Sequence, residues 1–151
     1  MISNFSLEKK IRDMHDQKNF RGVYCKDELP KNKREGFYIV NLENAYDSKG
    51  KPTKGTHWVT LEICPNESVY VDSFGLEPPL EVIDFSKKPI HYSIKELQNV
   101  DSNLCGYYCL YFINECNKGR SWENILHDFK PFPKNEGNSS VLDKYFGIRD
   151  F

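Results

Sequence analysis

The chain has 151 residues, of which 38% are hydrophobic and 14% aromatic, a composition that excludes an intrinsically disordered or a fibrous protein. Its length is that of one domain, so we expect a single domain over residues 1–151. The net charge of -1 and the pI of about 6.4 give no overall attraction to nucleic acid or to an anionic membrane.

The first part of the chain predicts a helix, a strand and a loop. Leu7, Ile11 and Met14 lie at helical spacing, and Ser6 is a suitable N-cap, so an amphipathic helix is predicted that ends near Asn19. The apolar run from Phe37 to Leu42 predicts a strand. The polar stretch that follows, from residue 44 to residue 55, contains glycine and proline and is predicted to be a loop.

A β-hairpin is predicted from Thr56 to Asp72. Residues alternate between two faces from His57 to Ile63, as in a strand. Pro65 to Ser68 turns the chain, and Val69 to Asp72 forms the second arm. If the arms pair antiparallel, the residue that opens the hairpin, His57, lies at the same end as the residue that closes it.

The second half of the chain predicts four helices and one short strand. The helices are predicted from Pro78 to about Ser86, from Cys105 to Cys116, from Ser121 to Phe129 and from Ser140 to Phe146, and the strand from Ile90 to Ile94. The helix from Cys105 is apolar on nearly every face, which is typical of a buried central helix. Strands and helices that do not alternate regularly indicate an α+β fold.

The stretch from Gln98 to Cys109 carries the clearest chemical signal. A polar, turn-like segment stops at Cys105-Gly106, and an apolar run of helical length begins. A thiol in the first turn of a helix lies beside unpaired backbone N–H groups and the positive end of the helix dipole, which favour a thiolate. Cys105 is therefore a candidate nucleophile.

The residues needed to activate such a nucleophile occur in order along the chain. A thiolate requires an imidazole to hold its proton and donors for the developing oxyanion. His57 is the candidate base, and Asp72 could orient its ring through the nitrogen that faces away from the thiol. Gln98 could fold back to donate to the oxyanion together with the backbone N–H of Cys105. Gly106 leaves room for a substrate backbone beside the thiol.

The motifs H-W at His57, D-S-F-G at Asp72 and Q-x6-C-G from Gln98 to Gly106, followed by an apolar helix, resemble those of the adenain group, the adenovirus-type maturation proteases. They also resemble the wider clan that includes the ubiquitin-like-protein proteases. The seven-residue step from Gln98 to Cys105 is more similar to adenain. The resemblance covers most of Phe20 to Ile113 and implies an α+β, papain-type fold, with a central mixed or antiparallel sheet packed on the helix that carries the cysteine.

Carried over to this sequence, the resemblance implies His57 as base, Asp72 as its partner, Cys105 as nucleophile and Gln98 as oxyanion donor. It adds Gly22 and Trp58, together with Gly106, as substrate-binding residues. Trp58 is also expected to pack, against the ring of His57. No metal is required.

The activity implied is that of a cysteine endopeptidase that cleaves viral capsid or other structural precursors at Gly-containing sites during virion maturation. Its partners would be polypeptide substrates, and we expect no membrane contact. The expected location is the virion and the host cytoplasm, virus factory or nucleus. The N-terminus has no signal-peptide pattern, and five cysteines lack a regular framework, so free thiols in a reducing compartment are expected and secretion is not.

Two departures from adenain concern activation and the acid. Adenain has Glu where this chain has Asp72, whereas the ubiquitin-like-protein proteases have Asp. Adenain is activated by a disulfide-linked peptide and by DNA. Ile90 to Leu97 contains no cysteine, which argues against the covalent link, and the acidic pI argues against DNA. We therefore expect no required cofactor, although the resemblance allows an activating peptide or DNA.

Other interpretations remain open at the level of sequence. The same parts would suit an isopeptidase for a ubiquitin-like modifier, or a peptide-binding pseudoprotease in which the site is structural. Cys109 and Cys116 are expected to be core residues, although with Cys105 and a histidine they could ligate a metal. His91 is the alternative base. Asp72 could simply initiate a turn, and Gln98 could be an ordinary loop residue.

Overall fold

The computed structural model describes residues 9–10, 19–53, 57–99 and 104–147. Within these ranges five strands and four α-helices have both ends described. The strands are β1 (Phe20–Cys25), β2 (Gly36–Asn41), β3 (Trp58–Ile63), β4 (Ser68–Val71) and β5 (Ile90–Tyr92). The helices are α1 (Leu80–Ser86), α2 (Cys105–Asn117), α3 (Trp122–Leu126) and α4 (Asn138–Phe146).

The strands form one mixed sheet in the order β1-β2-β3-β4-β5. The three central strands pair antiparallel, while each edge strand runs parallel to its neighbour. A parallel pair needs a crossover connection, and α1 lies in the one between β4 and β5. The central antiparallel pairing places the end of β2, the start of β3 and the end of β4 at one end of the sheet.

Both faces of the sheet are buried, because apolar side chains of the central strands point to either side of it. One face, which includes Ile39, Trp58 and Val69, packs against α2, α3 and α4. The other face, which includes Tyr38, Leu61 and Tyr70, packs with Val82 of α1. Burial of a large apolar side chain contributes about 1.5–3 kcal/mol, so this three-layer arrangement holds the end of the sheet rigidly.

Packing rather than intrinsic propensity stabilises α2. Its sequence, C-G-Y-Y-C-L-Y-F-I-N-E-C-N, contains mostly weak helix formers, and ten of its thirteen residues are buried. The helix begins at Cys105 after Leu104, whose carbonyl accepts from the N–H groups of Tyr107 and Tyr108 at 2.9 and 3.1 Å. It ends before Gly119, which has a φ of +92° and suits a helix C-terminus. The sheet thus determines where the first turn of α2 lies.

The predicted elements are found with small shifts at their ends. The hairpin, the helix after the two prolines and the central helix are confirmed. The side chain of Ser121 caps α3 by accepting from the N–H of Asn124, but α3 ends at Leu126 rather than at Phe129. α4 begins two residues earlier than predicted, at Asn138.

The prediction and the structure do not correspond at the start of the chain. β1 was not predicted as a strand. The predicted N-terminal helix lies outside the described residues, apart from residues 9–10, which are helical, and Asn19.

In the described part of the chain, no helix has the length and hydropathy to cross a bilayer.

Candidate active site

The hairpin brings His57 and Asp72 together. His57 directly precedes β3 and Asp72 directly follows β4, and the register pairs Thr60 with Val71. The carbonyl of His57 accepts from the N–H of Leu42 at 2.9 Å, which extends the pairing with β2. Both side chains therefore lie at the same end of the sheet.

The two side chains form a short hydrogen bond, in which Nε2 of His57 donates to Oδ1 of Asp72 at 2.6 Å. The same oxygen accepts from the backbone N–H of Phe74 at 2.8 Å. The carboxylate is 1% exposed, and its Oδ2 has no hydrogen-bond partner among the described residues. A buried carboxylate requires a positively charged or donating partner, and His57 supplies it.

An aromatic ring covers the imidazole. The ring of Phe74 stacks on that of His57, with centroids 4.4 Å apart and an interplanar angle of 25°. Together with the hydrogen bond from Nε2, this contact holds the plane of the imidazole. Nδ1 is the ring nitrogen left for another group.

Cys105 is the second group that interacts with the His57 ring. It is the first residue of α2 and is 1% exposed. Burial would lower the pKa of His57, but the hydrogen bond to Asp72 and the interaction with Cys105 raise the pKa to about 9. Nδ1 has no partner at hydrogen-bond geometry in the described part of the chain. The ring of His57 thus interacts with two groups, the carboxylate of Asp72 and the thiol of Cys105.

The pKa values of the other four cysteines are all raised above the ordinary thiol value. Burial raises the pKa of Cys25 and of Cys109. Burial also raises the pKa of Cys64 to about 11 and that of Cys116 to about 12. These four groups therefore remain protonated thiols at neutral pH, and a neutral thiol is a poor nucleophile.

Gln98 is held in the interior beside the turn that follows β4. Its side chain is 1% exposed. The hydroxyl of Ser73 donates to its Oε1, and its backbone N–H donates to the carbonyl of Ser73 at 2.9 Å. Ser73 and Cys105 line the same internal cavity, so the residue that anchors the glutamine lies on the wall that also carries the cysteine.

The three predicted substrate-binding residues all lie in buried positions. Trp58 is 1% exposed and lines the cavity behind Cys105, so it is a core residue. Gly22 is buried in β1, where it pairs with Tyr38, and the ring of Tyr24 covers it. Gly106 lies in the first turn of α2, beside the thiol, and is buried.

Two neighbours of the site, Ser73 and Phe74, were not predicted. The ring of Phe74 stacks on the imidazole, a contact that the sequence did not predict. Both residues belong to the D-S-F-G motif that follows β4, so the motif itself was the available signal. Its side-chain roles depend on the turn, in which the N–H of Gly75 donates to the carbonyl of Asp72 at 2.8 Å.

The alternative site residues are placed elsewhere. His91 lies on β5, where its Nε2 pairs with Oε2 of Glu67 at 2.7 Å and both side chains are about half exposed. This edge strand is separated from β3 by β4. Among the described residues, no group of three or more His, Cys, Asp and Glu side chains is arranged to hold a metal ion.

Comparison with known proteins shows similarity in structure but not in sequence. No family model and no curated protein matches the sequence. The structure is similar to the crystal structure of the ASFV pS273R protease, with a TM-score of 0.60 and 14% identity, over 100% of this chain and 68% of that one. A selenomethionine form of that protease matches with a TM-score of 0.42 and 15% identity, over 68% of this chain and 43% of that one.

At this level of identity the likeness shows the fold. The α+β fold predicted from the sequence, a mixed sheet packed on a buried helix that begins at Cys105, is confirmed, and it is the fold of a solved protease.

Proposed function

We propose that this protein is a cysteine endopeptidase with Cys105 as nucleophile, His57 as general base and acid, Asp72 as the residue that orients the histidine, and Gln98 as an oxyanion donor. The observation that carries the proposal is the 2.6 Å hydrogen bond between Asp72 and His57. It commits Nε2 of the ring and leaves Nδ1 for a thiol at the start of a buried helix.

In the first half of the reaction the thiolate of Cys105 attacks the carbonyl carbon of the scissile peptide bond. His57 accepts the proton of the thiol, and the raised pKa of the imidazole, about 9, favours the imidazolium form at neutral pH. The negative charge that develops on the carbonyl oxygen is stabilised by the amide of Gln98 and by the backbone N–H of Cys105.

Collapse of this intermediate breaks the C–N bond. The imidazolium gives its proton to the leaving amine, and the acyl half of the substrate remains on Cys105 as a thioester. Neutral His57 then removes a proton from a water molecule, whose oxygen attacks the thioester carbonyl. The C–S bond breaks, which releases the carboxylic acid product and regenerates the Cys105–His57 pair, and the acid then loses its proton to solvent. Asp72 stabilises the imidazolium throughout and is not itself protonated.

The substrates proposed are viral capsid or other structural precursors, cut at Gly-containing sites during virion maturation. Two observations support this proposal: the shared fold with the ASFV pS273R protease, and the nearly enclosed Cys105, which is 1% exposed and favours a residue without a Cβ at the scissile bond. By the adenain resemblance we place the reaction in the virion and the host cytoplasm or nucleus. The proposed chemistry needs no cofactor.

A second candidate is an isopeptidase that releases a ubiquitin-like modifier. The observation that favours it is Asp72, since that branch of the clan has Asp where adenain has Glu. Incubation with a panel of capsid precursors and of modifier conjugates separates the two, because only one class of substrate should be cleaved.

The proposed nucleophile is tested by alkylation followed by mass spectrometry. At pH 6, iodoacetamide should label Cys105 before Cys109 and Cys116. A His57→Ala variant should lose this preference, whereas His91→Ala, a matched change at an exposed histidine, should keep it. Equal labelling of Cys105 and Cys116 in the folded parent protein would refute the activated nucleophile and favour the pseudoprotease.

A further inference from the structure

One turn of the chain contacts both halves of the proposed machinery. Asp72 binds the base, and the next residue, Ser73, binds the segment that carries the oxyanion donor. The carbonyl of Ser73 accepts from the N–H groups of Leu97 and Gln98, at 2.8 and 2.9 Å. Ser73 is 4% exposed, so solvent does not compete for these hydrogen bonds.

The backbone of this segment is held from the opposite side as well. The carbonyl of Leu97 accepts from Nδ2 of Asn138 at 2.8 Å and from the hydroxyl of Tyr108 at 3.3 Å. Nδ2 of Asn138 also donates to the carbonyl of Lys130 at 2.8 Å. With its backbone fixed on both sides, the segment can vary mainly in the orientation of the Gln98 side chain.

The hydroxyl of Ser73 contacts that side chain directly, by donating to Oε1 of Gln98. A primary amide that turns by 180° keeps its shape but exchanges a donor for an acceptor. With Oε1 directed at Ser73, the amino group Nε2 is at the end of the amide turned away from it. An N–H donor stabilises an oxyanion, whereas a carbonyl oxygen in the same place would repel it.

We propose that Ser73 is a positioning residue, which holds the amide of Gln98 in the orientation that presents Nε2 to the oxyanion. The inference rests on the proposed function, since it assigns a supporting residue to the same site. The hydrogen bond received by Oε1 also polarises the amide, which strengthens Nε2–H as a donor. Ser73 thereby couples the orientation of the donor to the turn that holds Asp72.

The kinetic test compares Ser73→Ala with the parent enzyme, using a fluorogenic peptide amide that ends in Gly-Gly. We expect kcat to fall about tenfold and KM to stay within twofold, since loss of one oxyanion donor costs about 10²-fold or more and a misplaced donor less. Ser73→Thr, which keeps the hydroxyl, should restore kcat to within about threefold. In a Gln98→Ala background, Ser73→Ala should have less than a twofold effect.

A matched control is Ser68→Ala. Ser68 is a fully buried serine whose hydroxyl pairs with that of Ser86 at 2.6 Å, and it lies at the other end of β4. Its loss removes one buried hydrogen bond without touching the site, so kcat should stay unchanged. Alkylation of Cys105 by iodoacetamide, which develops no oxyanion, should also proceed at the parent rate in Ser73→Ala.

A readout that needs no turnover is the side-chain amide resonance of Gln98 in a ¹⁵N-labelled sample. Ser73→Ala should shift this resonance toward that of a glutamine side chain whose Oε1 accepts no hydrogen bond. Ser73→Thr should restore the position seen in the parent protein. An unmoved resonance, or alkylation that falls together with kcat, would overturn the proposal for Ser73. If the parent enzyme cleaves no peptide but Ser73→Ala still shifts the Gln98 resonance, the result counts against the proposed function and not against the role of Ser73.

Discussion

The proposed base, His57, depends on the negative charge of Asp72. The substitution Asp72→Asn removes that charge alone. The substitution keeps the shape of the side chain. The oxygen at Oδ1 should stay in place, because it still accepts from the N–H of Phe74, as Asp72 does at 2.8 Å. His57 should therefore keep its Nε2 hydrogen bond and its tautomer, and lose only the negative charge beside it.

The size of the effect follows from the environment of His57. Its pKa is raised from 6.5 to about 9 although burial lowers it. Each pKa unit corresponds to about 1.4 kcal/mol, so the folded protein favours the imidazolium by about 3 kcal/mol. Asp72 provides the largest of the effects that raise the pKa. In Asp72→Asn burial should dominate, and we expect the pKa of His57 to fall to 6.5 or below.

The sign of the pH dependence is set by the raised pKa. The contribution of His57 to stability is fully present below pH 6.5, its value in the unfolded chain, and is lost as the pH rises to about 9. In the parent enzyme kcat should also decline as the pH rises through about 9, because a neutral His57 cannot protonate the leaving amine. In Asp72→Asn that decline should begin near pH 6.5, and kcat at pH 7 should be about 10²-fold lower.

The assay is an NMR titration of the histidine Cε1–H resonances, with His57 assigned from a His57→Gln spectrum. The resonance of His91, on the far edge of the sheet, serves as an internal control and should be the same in both proteins. The reasoning is wrong if His57 titrates near pH 6.5 in the parent, or if Asp72→Asn moves its midpoint by less than about half a pH unit.

Two further predictions concern stability, measured by urea unfolding. Gly75→Ala should cost about 3 kcal/mol, because a Cβ would lie 2.6 Å from a backbone carbonyl oxygen and the φ of +75° disfavours it. Gly50→Ala, with a φ of +77° and open space, should cost only about 1 kcal/mol, and equal costs would exclude the clash. Arg120→Gln should cost about 2 kcal/mol, since Arg120 bonds both oxygens of Asp128 at 2.6 and 2.8 Å. These bonds lower the pKa of Asp128. Their contribution to the free energy of unfolding is therefore present above about pH 4 and is lost in more acidic solution. The exposed Lys118→Gln should cost less than about 0.5 kcal/mol, and a similar loss in both variants would contradict the difference.

The hairpin shows what sequence patterns predict well. Alternating apolar residues and a proline-containing turn lie within one short stretch, and they specify which residues open and close it. The proximity of His57 and Asp72 follows from antiparallel pairing alone. Likewise, the change from a polar segment to an apolar run located the start of α2 at Cys105.

The sequence was less informative where contacts join distant segments. β1 carries no clear alternation, and its parallel partner β2 lies across a connection, so it was not predicted as a strand. Trp58 was expected to pack against the imidazole. Successive residues of a strand point to opposite faces, however, and the tryptophan turns into the core, while Phe74 from the following turn stacks on the ring.

The sequence by itself determined the chemical groups, their order along the chain and the local elements that carry them, because turns, strand alternation and helix starts depend on neighbouring residues. Only the tertiary structure decided which side chains meet. Packing of α2 on the sheet brings Cys105 to His57, and the turn after β4 brings Ser73 to Gln98. Such contacts depend on the simultaneous burial of several elements, which no local pattern in a single sequence records.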